Sequence, residues 1–195
     1  MITYQNFVIK MGFQVMNSYI QFQVQLRGNI FMNAGCYDQE IKDKLISVIF
    51  FDINDSKIYE KNIKDLRFDY RKGFQNNNTI ILYGKFKITH GDQKSIKDLM
   101  HEYERIRNKT QPQKVNCCGS IFKNPINQSA WKLIKTSVDK SYYDGPIKLS
   151  KKHCNFFEND PNISANNIHS FISEIQKKVK EKHKIVLEKE LRIID

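Results

Sequence analysis

The apolar positions of this chain fall into two kinds of run, and their order predicts a mixed fold. Residues 45–53 are apolar and β-branched and end in Asn54-Asp55-Ser56, which reads as a buried strand and a turn. Asn76-Asn77-Asn78 is a loop before a second strand over 79–89. There Ile81, Tyr83, Lys85 and Lys87 alternate with Leu82, Gly84, Phe86 and Ile88. The period then changes: Ile96, Leu99, Met100, Tyr103 and Ile106 recur at helical spacing and predict an amphipathic helix over 92–108. Thr110-Gln111-Pro112-Gln113 breaks that pattern and marks a domain boundary. Beyond it, 129–135 predicts a short helix. A longer one lies within 162–182, with Ser164 as its cap and Ile168, Ile172, Ile175 and Val179 as its buried stripe. His183-Lys184 leads into a predicted final strand. Ile185, Leu187, Leu191 and Ile193 share one face of it, Lys189 interrupts that face, and Glu188, Glu190 and Arg192 occupy the other. The fold class is α+β.

A chain of 195 residues accommodates one large or two small domains. Its 40% hydrophobic and 12% aromatic content suits a folded protein and excludes a disordered one. No apolar run approaches the ~20 residues of a membrane helix, so no membrane partner is expected. The N-terminus has no basic segment followed by an apolar block, so no secretory signal is expected. Cysteines stand at 36, 117, 118 and 154, with no CxxC pair and no zinc-site spacing. They read as reduced thiols of a cytoplasmic protein, with no metal. The net charge of +11 admits a basic nucleic-acid-binding protein. The lysines mingle with acids, however, as in Lys177-Lys178-Val179-Lys180-Glu181-Lys182, so a solvated face is the better reading and nucleic acid is not an expected partner. A basic surface would equally attract an anionic nucleotide.

Four segments carry candidate chemistry, in fixed order: Asp69-Tyr70-Arg71, Gly119-Ser120-Ile121-Phe122-Lys123-Asn124-Pro125, Ser150-Lys151-Lys152-His153-Cys154-Asn155-Phe156 and Leu187-Glu188-Lys189-Glu190-Leu191-Arg192-Ile193-Ile194. By pattern alone Ser120 is a loop serine or a helix cap, Glu190 a surface glutamate, and Lys123 a phosphate contact or a solvated lysine. Arg71 has the fork geometry that grips a carboxylate and keeps its charge.

Together these segments resemble the UDP-N-acetylenolpyruvoylglucosamine reductases, flavoenzymes of peptidoglycan precursor synthesis. The resemblance covers roughly residues 28–195 and implies two domains. Residues 28–109 would be part of a PCMH-type FAD-binding domain, and 113–195 the family's C-terminal substrate domain. It implies FAD as cofactor, NADPH as reductant and UDP-N-acetylglucosamine enolpyruvate as substrate. Ser120 would donate a proton to the substrate carbon, Arg71 would stabilise the enolate-like intermediate, and Glu190 would be catalytic beside them. Asn33, Ala34, Gly35 and Tyr70 would bind the cofactor. Lys123, Asn124 and His153 would bind the substrate, with His153 shaping the site rather than acting as a base. A non-catalytic remnant that keeps only the substrate-domain fold is the alternative.

The chain departs from the family at several points. Many members have a serine shortly after the arginine; here Lys72-Gly73-Phe74 follows Arg71. Ser137 and Asp144 replace family glycines before the His153 segment. Phe31-Met32-Asn33-Ala34-Gly35-Cys36-Tyr37 resembles the end of the glycine-rich flavin segment, but Phe22-Gln23-Val24-Gln25-Leu26 stands where the family has a sequence like IPGTIGG. Codons for residues 12–26, read one nucleotide earlier, can encode GISGYEFLYSIPGTI. We therefore expect residues 1–27 to be an aberrant segment read out of frame. A separate polypeptide is a candidate source of the family's remaining flavin-binding portion, and the sequence leaves that open. The nucleotide sequence tests the first expectation.

Overall fold

A computed structural model describes residues 13–14, 26–113 and 115–191, so the expected aberrant segment lies almost wholly outside the described residues. The chain divides into two compact units, 1–105 and 106–195.

In the first unit, β1 (Phe13–Gln14) is followed by helix α1 (Leu26–Met32) and a small hairpin, β2 (Gly35–Cys36) with β3 (Gln39–Glu40). The main sheet is antiparallel, with β4 (Leu45–Asp52) between β5 (Lys57–Asn62) and β6 (Thr79–Phe86). β7 (Thr89–His90) pairs with β1. The expected strand over 79–89 thus ends at Phe86, and Lys87 N–H makes one further bond to the Lys44 carbonyl just before β4. Leu45, Val48 and Phe50 of β4 all reach the core, a spacing that strict alternation forbids. A register irregularity between Leu45 and Ser47 shifts the phase by one residue and resolves it. Ile30, Ile41, Phe74 and Ile81 complete this core. β5 is exposed along its whole length and carries Lys57, Glu60 and Lys61, which explains why no apolar alternation announces it. The long helix α2 (Gln93–Thr110) agrees with the expected 92–108, and the division between units falls inside it.

The second unit is built on α3 (Ala130–Ser137) and α4 (Ala165–His183), with the hairpin β8 (Ile147–Leu149) and β9 (Phe157–Asn159) beside them. Ile172, Ile175 and Val179 of α4 are fully buried against Leu133 and Ile134 of α3, and Ile168 packs at the margin, as the stripe predicts. Ser164 caps α4 by accepting from Asn167 N–H at 3.2 Å. Lys184 ends the helix in the left-handed region, φ 60°.

The predicted strand over 185–193 is corrected over 185–191, while Arg192 and Ile193 lie outside the described residues. Among the described residues the segment forms one isolated bridge, Phe122 to Lys189. Two hydrogen bonds flank the bridge, Lys123 N–H to the Glu188 carbonyl at 2.9 Å and Glu190 N–H to the Ile121 carbonyl at 2.8 Å. The extended partner is too short for a ladder, since Pro125 follows three residues after Phe122 and has no N–H to give. Leu187 is nevertheless fully buried, with Ile185 and Leu191 packed against the same core.

Candidate functional site

The candidate residues gather into two groups, one in each unit. In the first unit, Asn33 terminates α1 with φ 45°, a conformation asparagine tolerates better than most residues. It is fully buried and its amide is engaged. Nδ2 donates to Glu40 Oε2 at 3.1 Å and to the Asp69 carbonyl at 2.9 Å, and Oδ1 accepts from Lys42 N–H at 3.2 Å. Asn33 thus pins the 69–72 turn to the end of α1. Ala34 is held by main-chain bonds to Asn29 and Ile41. Asp69 and Lys72 exchange both main-chain hydrogen bonds, which closes a tight turn at Tyr70 and Arg71. Arg71 sits at φ 54° and donates from Nη2 to the Gly35 carbonyl at 2.8 Å, while its guanidinium lies 5.0 Å over the exposed Tyr70 ring.

Two glycines make this arrangement possible. A Cβ at Gly73 would lie 1.9 Å from the Ile30 carbonyl oxygen, so the chain after Arg71 passes α1 with no room for a side chain. A Cβ at Gly35 would lie 2.9 Å from the Gln39 carbonyl oxygen and 3.0 Å from Arg71 Nη1. Asn33, Ala34, Gly35, Tyr70 and Arg71, 36 residues apart in sequence, are therefore one cluster.

In the second unit, Gly119 adopts φ 87° in open space and turns the chain into Ser120. Ser120 is half-buried, and its hydroxyl makes no hydrogen bond to a described residue. The next two residues are clamped by Asn155, which is buried. Its carbonyl accepts from Ile121 N–H at 2.8 Å, its Oδ1 accepts from Phe122 N–H at 3.0 Å, and its Nδ2 donates to the Phe122 carbonyl at 2.8 Å. Glu190 N–H donates to the carbonyl of Ile121, the residue after Ser120, so the main chain at Glu190 runs beside this turn. Lys123 is tied to Glu188 by its main chain and by an ion pair of 2.6 Å. Asn124 Oδ1 accepts from Ala130 N–H at 2.9 Å and caps α3, a task that the Ser129 side chain does not perform. His153 packs edge-on against Phe156 and near Trp131. Burial holds its pKa below the usual histidine range, and its Nδ1 is enclosed without a partner among the described residues.

Sequence reasoning passed over Asn155, although it lies inside the Ser150-to-Phe156 segment. A small polar residue between apolar neighbours was the available signal. No group of three or more His, Cys, Asp or Glu is placed to hold a metal among the described residues, and no described helix is long and apolar enough to cross a membrane.

Cys117 and Cys118 immediately precede this turn, and both residues are exposed. Loss of solvent around the Cys118 thiol, with the neighbouring Cys117 and the Glu190 carboxylate adding, pushes it up to about 11. In the unfolded chain a thiol ionises near ~8.5. The folded state therefore keeps a proton that the unfolded chain loses, and the stability this contributes is full below ~8.5 and lost as pH rises through 11. Alkylation of Cys118, followed by mass spectrometry, should be half-maximal near pH 11. A midpoint at the ordinary thiol value would show that the exposed Cys118 thiol is fully hydrated and does not feel Glu190.

Fold and site define a two-unit α+β protein whose second unit holds the chain at Glu190 beside the turn of Gly119 and Ser120. Residues 111–194 match the family "UDP-N-acetylenolpyruvoylglucosamine reductase, C-terminal domain". The reductase of Pelagibacter ubique is 37% identical over 170 residues, 86% of this chain and 56% of that protein. The Streptococcus mutans reductase is 35% identical over 168 residues, 86% of this chain and 55% of that protein. The crystal structure of UDP-N-acetylenolpyruvylglucosamine reductase from Thermus caldophilus matches 96% of this chain and 67% of that one, at TM-score 0.82 and 27% identity. Residues 111–194 belong to the C-terminal domain family of the UDP-N-acetylenolpyruvoylglucosamine reductases, and the chain spans about 56% of the length of the first of these relatives.

Proposed function

We propose that this chain serves the reduction of UDP-N-acetylglucosamine enolpyruvate to UDP-N-acetylmuramate, with NADPH as reductant and FAD as the carrier of the hydride. The observation that most supports this reading is the main-chain bond from Glu190 N–H to the carbonyl of Ile121, which brings the chain at Glu190 beside the turn that carries Ser120. Flavin chemistry needs a cradle, and the described residues fit only part of one. Tyr70 offers an exposed aromatic ring with Arg71 beside it. The amide of Asn33 and the main chain of Ala34 are engaged within the protein, so they shape the cluster rather than reach a ligand. When bound, the flavin supplies the hydride.

The chain's own residues have these roles in the reading. Ser120 gives its hydroxyl proton to the substrate carbon adjacent to the one that receives hydride. Serine is a weak acid, so the proton transfer depends on charge stabilisation around it. Glu190 stabilises negative charge on the substrate carboxylate by donating a hydrogen bond, which requires its protonated form. Arg71 offers a charged fork to the same kind of group. Lys123 and Asn124 hold the loop after Ser120, through Glu188 and α3 respectively.

The test is titration of the purified protein with FAD, read by flavin fluorescence, followed by NADPH oxidation in the presence of the enolpyruvyl substrate. Saturable binding and substrate-dependent oxidation are expected. In a second arm the flavin-binding portion of a relative is added as a separate polypeptide, and a gain in flavin affinity would identify it as a partner. A folded protein that binds no flavin in either arm and oxidises no NADPH would overturn the reading, leaving a substrate-domain fold without the reaction.

A further inference from the structure

Cys117 and Cys118 are neighbours in sequence, and both are exposed. The other two cysteines are placed differently. Cys154 is buried, with its thiol donating to the Trp131 carbonyl, and Cys36 is half-buried in the β2–β3 hairpin of the first unit. The main chain around the adjacent pair is fixed at its ends and unlocked between them. The Asn116 carbonyl accepts from Asn159 N–H at 3.2 Å, and Ile121 N–H donates to the Asn155 carbonyl at 2.8 Å. Residues 117–120 make no main-chain to main-chain hydrogen bond among the described residues. A Cβ at Gly119 would meet nothing within 4 Å, so open space lies beside the pair.

Two thiols on neighbouring residues are selective in what they can hold. Neighbouring Cα atoms lie ~3.8 Å apart, less than the ~4.4–6.8 Å that a relaxed disulfide spans, so direct S–S closure strains the chain. Two-coordinate soft cations such as Hg²⁺ favour a straight S–metal–S line, which neighbouring side chains span poorly. Trivalent arsenic shares the preference of soft centres for thiolate and holds its ligands at a bent, pyramidal angle. One arsenic atom therefore fits between two sulfurs carried by one peptide unit.

We propose that Cys117 and Cys118 form a chelating site for a trivalent arsenical. In the reaction with an arsenoxide, R–As=O, both S–H bonds and the As=O bond break and two As–S bonds form. The oxygen leaves with the two thiol protons as one water. Arsenic stays trivalent, so neither oxidant nor reductant is needed. Ser120 follows Cys118 by two residues, so the ring closes on the turn that carries this hydroxyl. The proposal stands without the reductase reading, because neither flavin nor turnover enters it.

The experiment titrates the full, reduced protein with phenylarsine oxide and follows the adduct by native mass spectrometry. One arsenical should bind per chain. Dithiothreitol should strip it, whereas 2-mercaptoethanol at the same thiol concentration should not, since only a second dithiol matches the effective concentration of the adjacent pair. Cys117→Ser and Cys118→Ser should each weaken binding by ~10²–10⁴-fold, the gain that a linked second contact contributes. Cys36→Ser should leave it unchanged. Circular dichroism checks that each variant folds, and either serine variant of the pair suffices if the other does not. The proposal is overturned if the parent takes up no arsenical, if the monothiol strips it as well as the dithiol, if a folded variant lacking one thiol of the pair binds like the parent, or if Cys36→Ser abolishes the adduct.

Discussion

Ser120→Ala is expected to lower turnover by ~10²–10⁴-fold, the usual contribution of a positioned proton donor, while NADPH continues to reduce the flavin at nearly the parent rate. The two half-reactions separate the roles. Reduction of the flavin needs no proton delivered to the substrate carbon, whereas completion of the product does. Ser120 is suited to this test because its hydroxyl makes no hydrogen bond to a described residue, so removing it orphans no described partner. Gly119 keeps the turn and Asn155 keeps the clamp. Rapid-mixing absorbance measurements follow the two steps independently. Equal loss of both half-reactions would mean that Ser120 supports the fold or the cofactor rather than the proton transfer.

Asn155→Ala is expected to be among the most destabilising single changes in the second unit. The side-chain amide satisfies both main-chain groups of Phe122, whose residue is 1% exposed. Alanine leaves a buried donor and a buried acceptor without partners, each costing ~1–3 kcal/mol. For a unit of this size ~2–6 kcal/mol lowers the melting temperature by ~10 °C or more. Asn155→Asp keeps an acceptor for Phe122 N–H but loses the donor to its carbonyl, so its effect should be smaller. Ser120 stands two residues from Phe122, and turnover should fall with the clamp even at temperatures where Asn155→Ala remains folded. Thermal unfolding with parent-like stability would show that the two groups of Phe122 find other partners.

Helices were the most legible part of this chain, because their signals are local. Ser164 as a cap and the spacing of Ile168, Ile172, Ile175 and Val179 suffice to place α4. β4 and β6 were legible for the same reason, but β5 was not. Its exposed, charged positions pair with β4 through the main chain, which leaves no trace in side-chain pattern. The segment after Lys184 misled in the opposite direction. Alternating apolar positions record which side chains are buried, and Leu187 is, but they do not record whether a ladder exists. Ser120, Arg71 and Glu190 were singled out only by resemblance, since each type is ordinary in its local setting. Asn155 was missed because its partners lie 33 residues away, and no local pattern encodes such a register.

The tie between Lys123 and Glu188 spans 65 residues. Closing a loop of that length costs entropy that local contacts in α3 and α4 never meet, so this tie belongs among the late events of folding. The bond from Glu190 N–H to the Ile121 carbonyl depends on the same bridge. Partly folded molecules can thus carry well-formed helices and the β8–β9 hairpin and still lack the approach of Glu190 to the turn at Ser120. In amide hydrogen exchange, protection at Lys123 and Glu190 would be a stricter measure of a competent molecule than helix content.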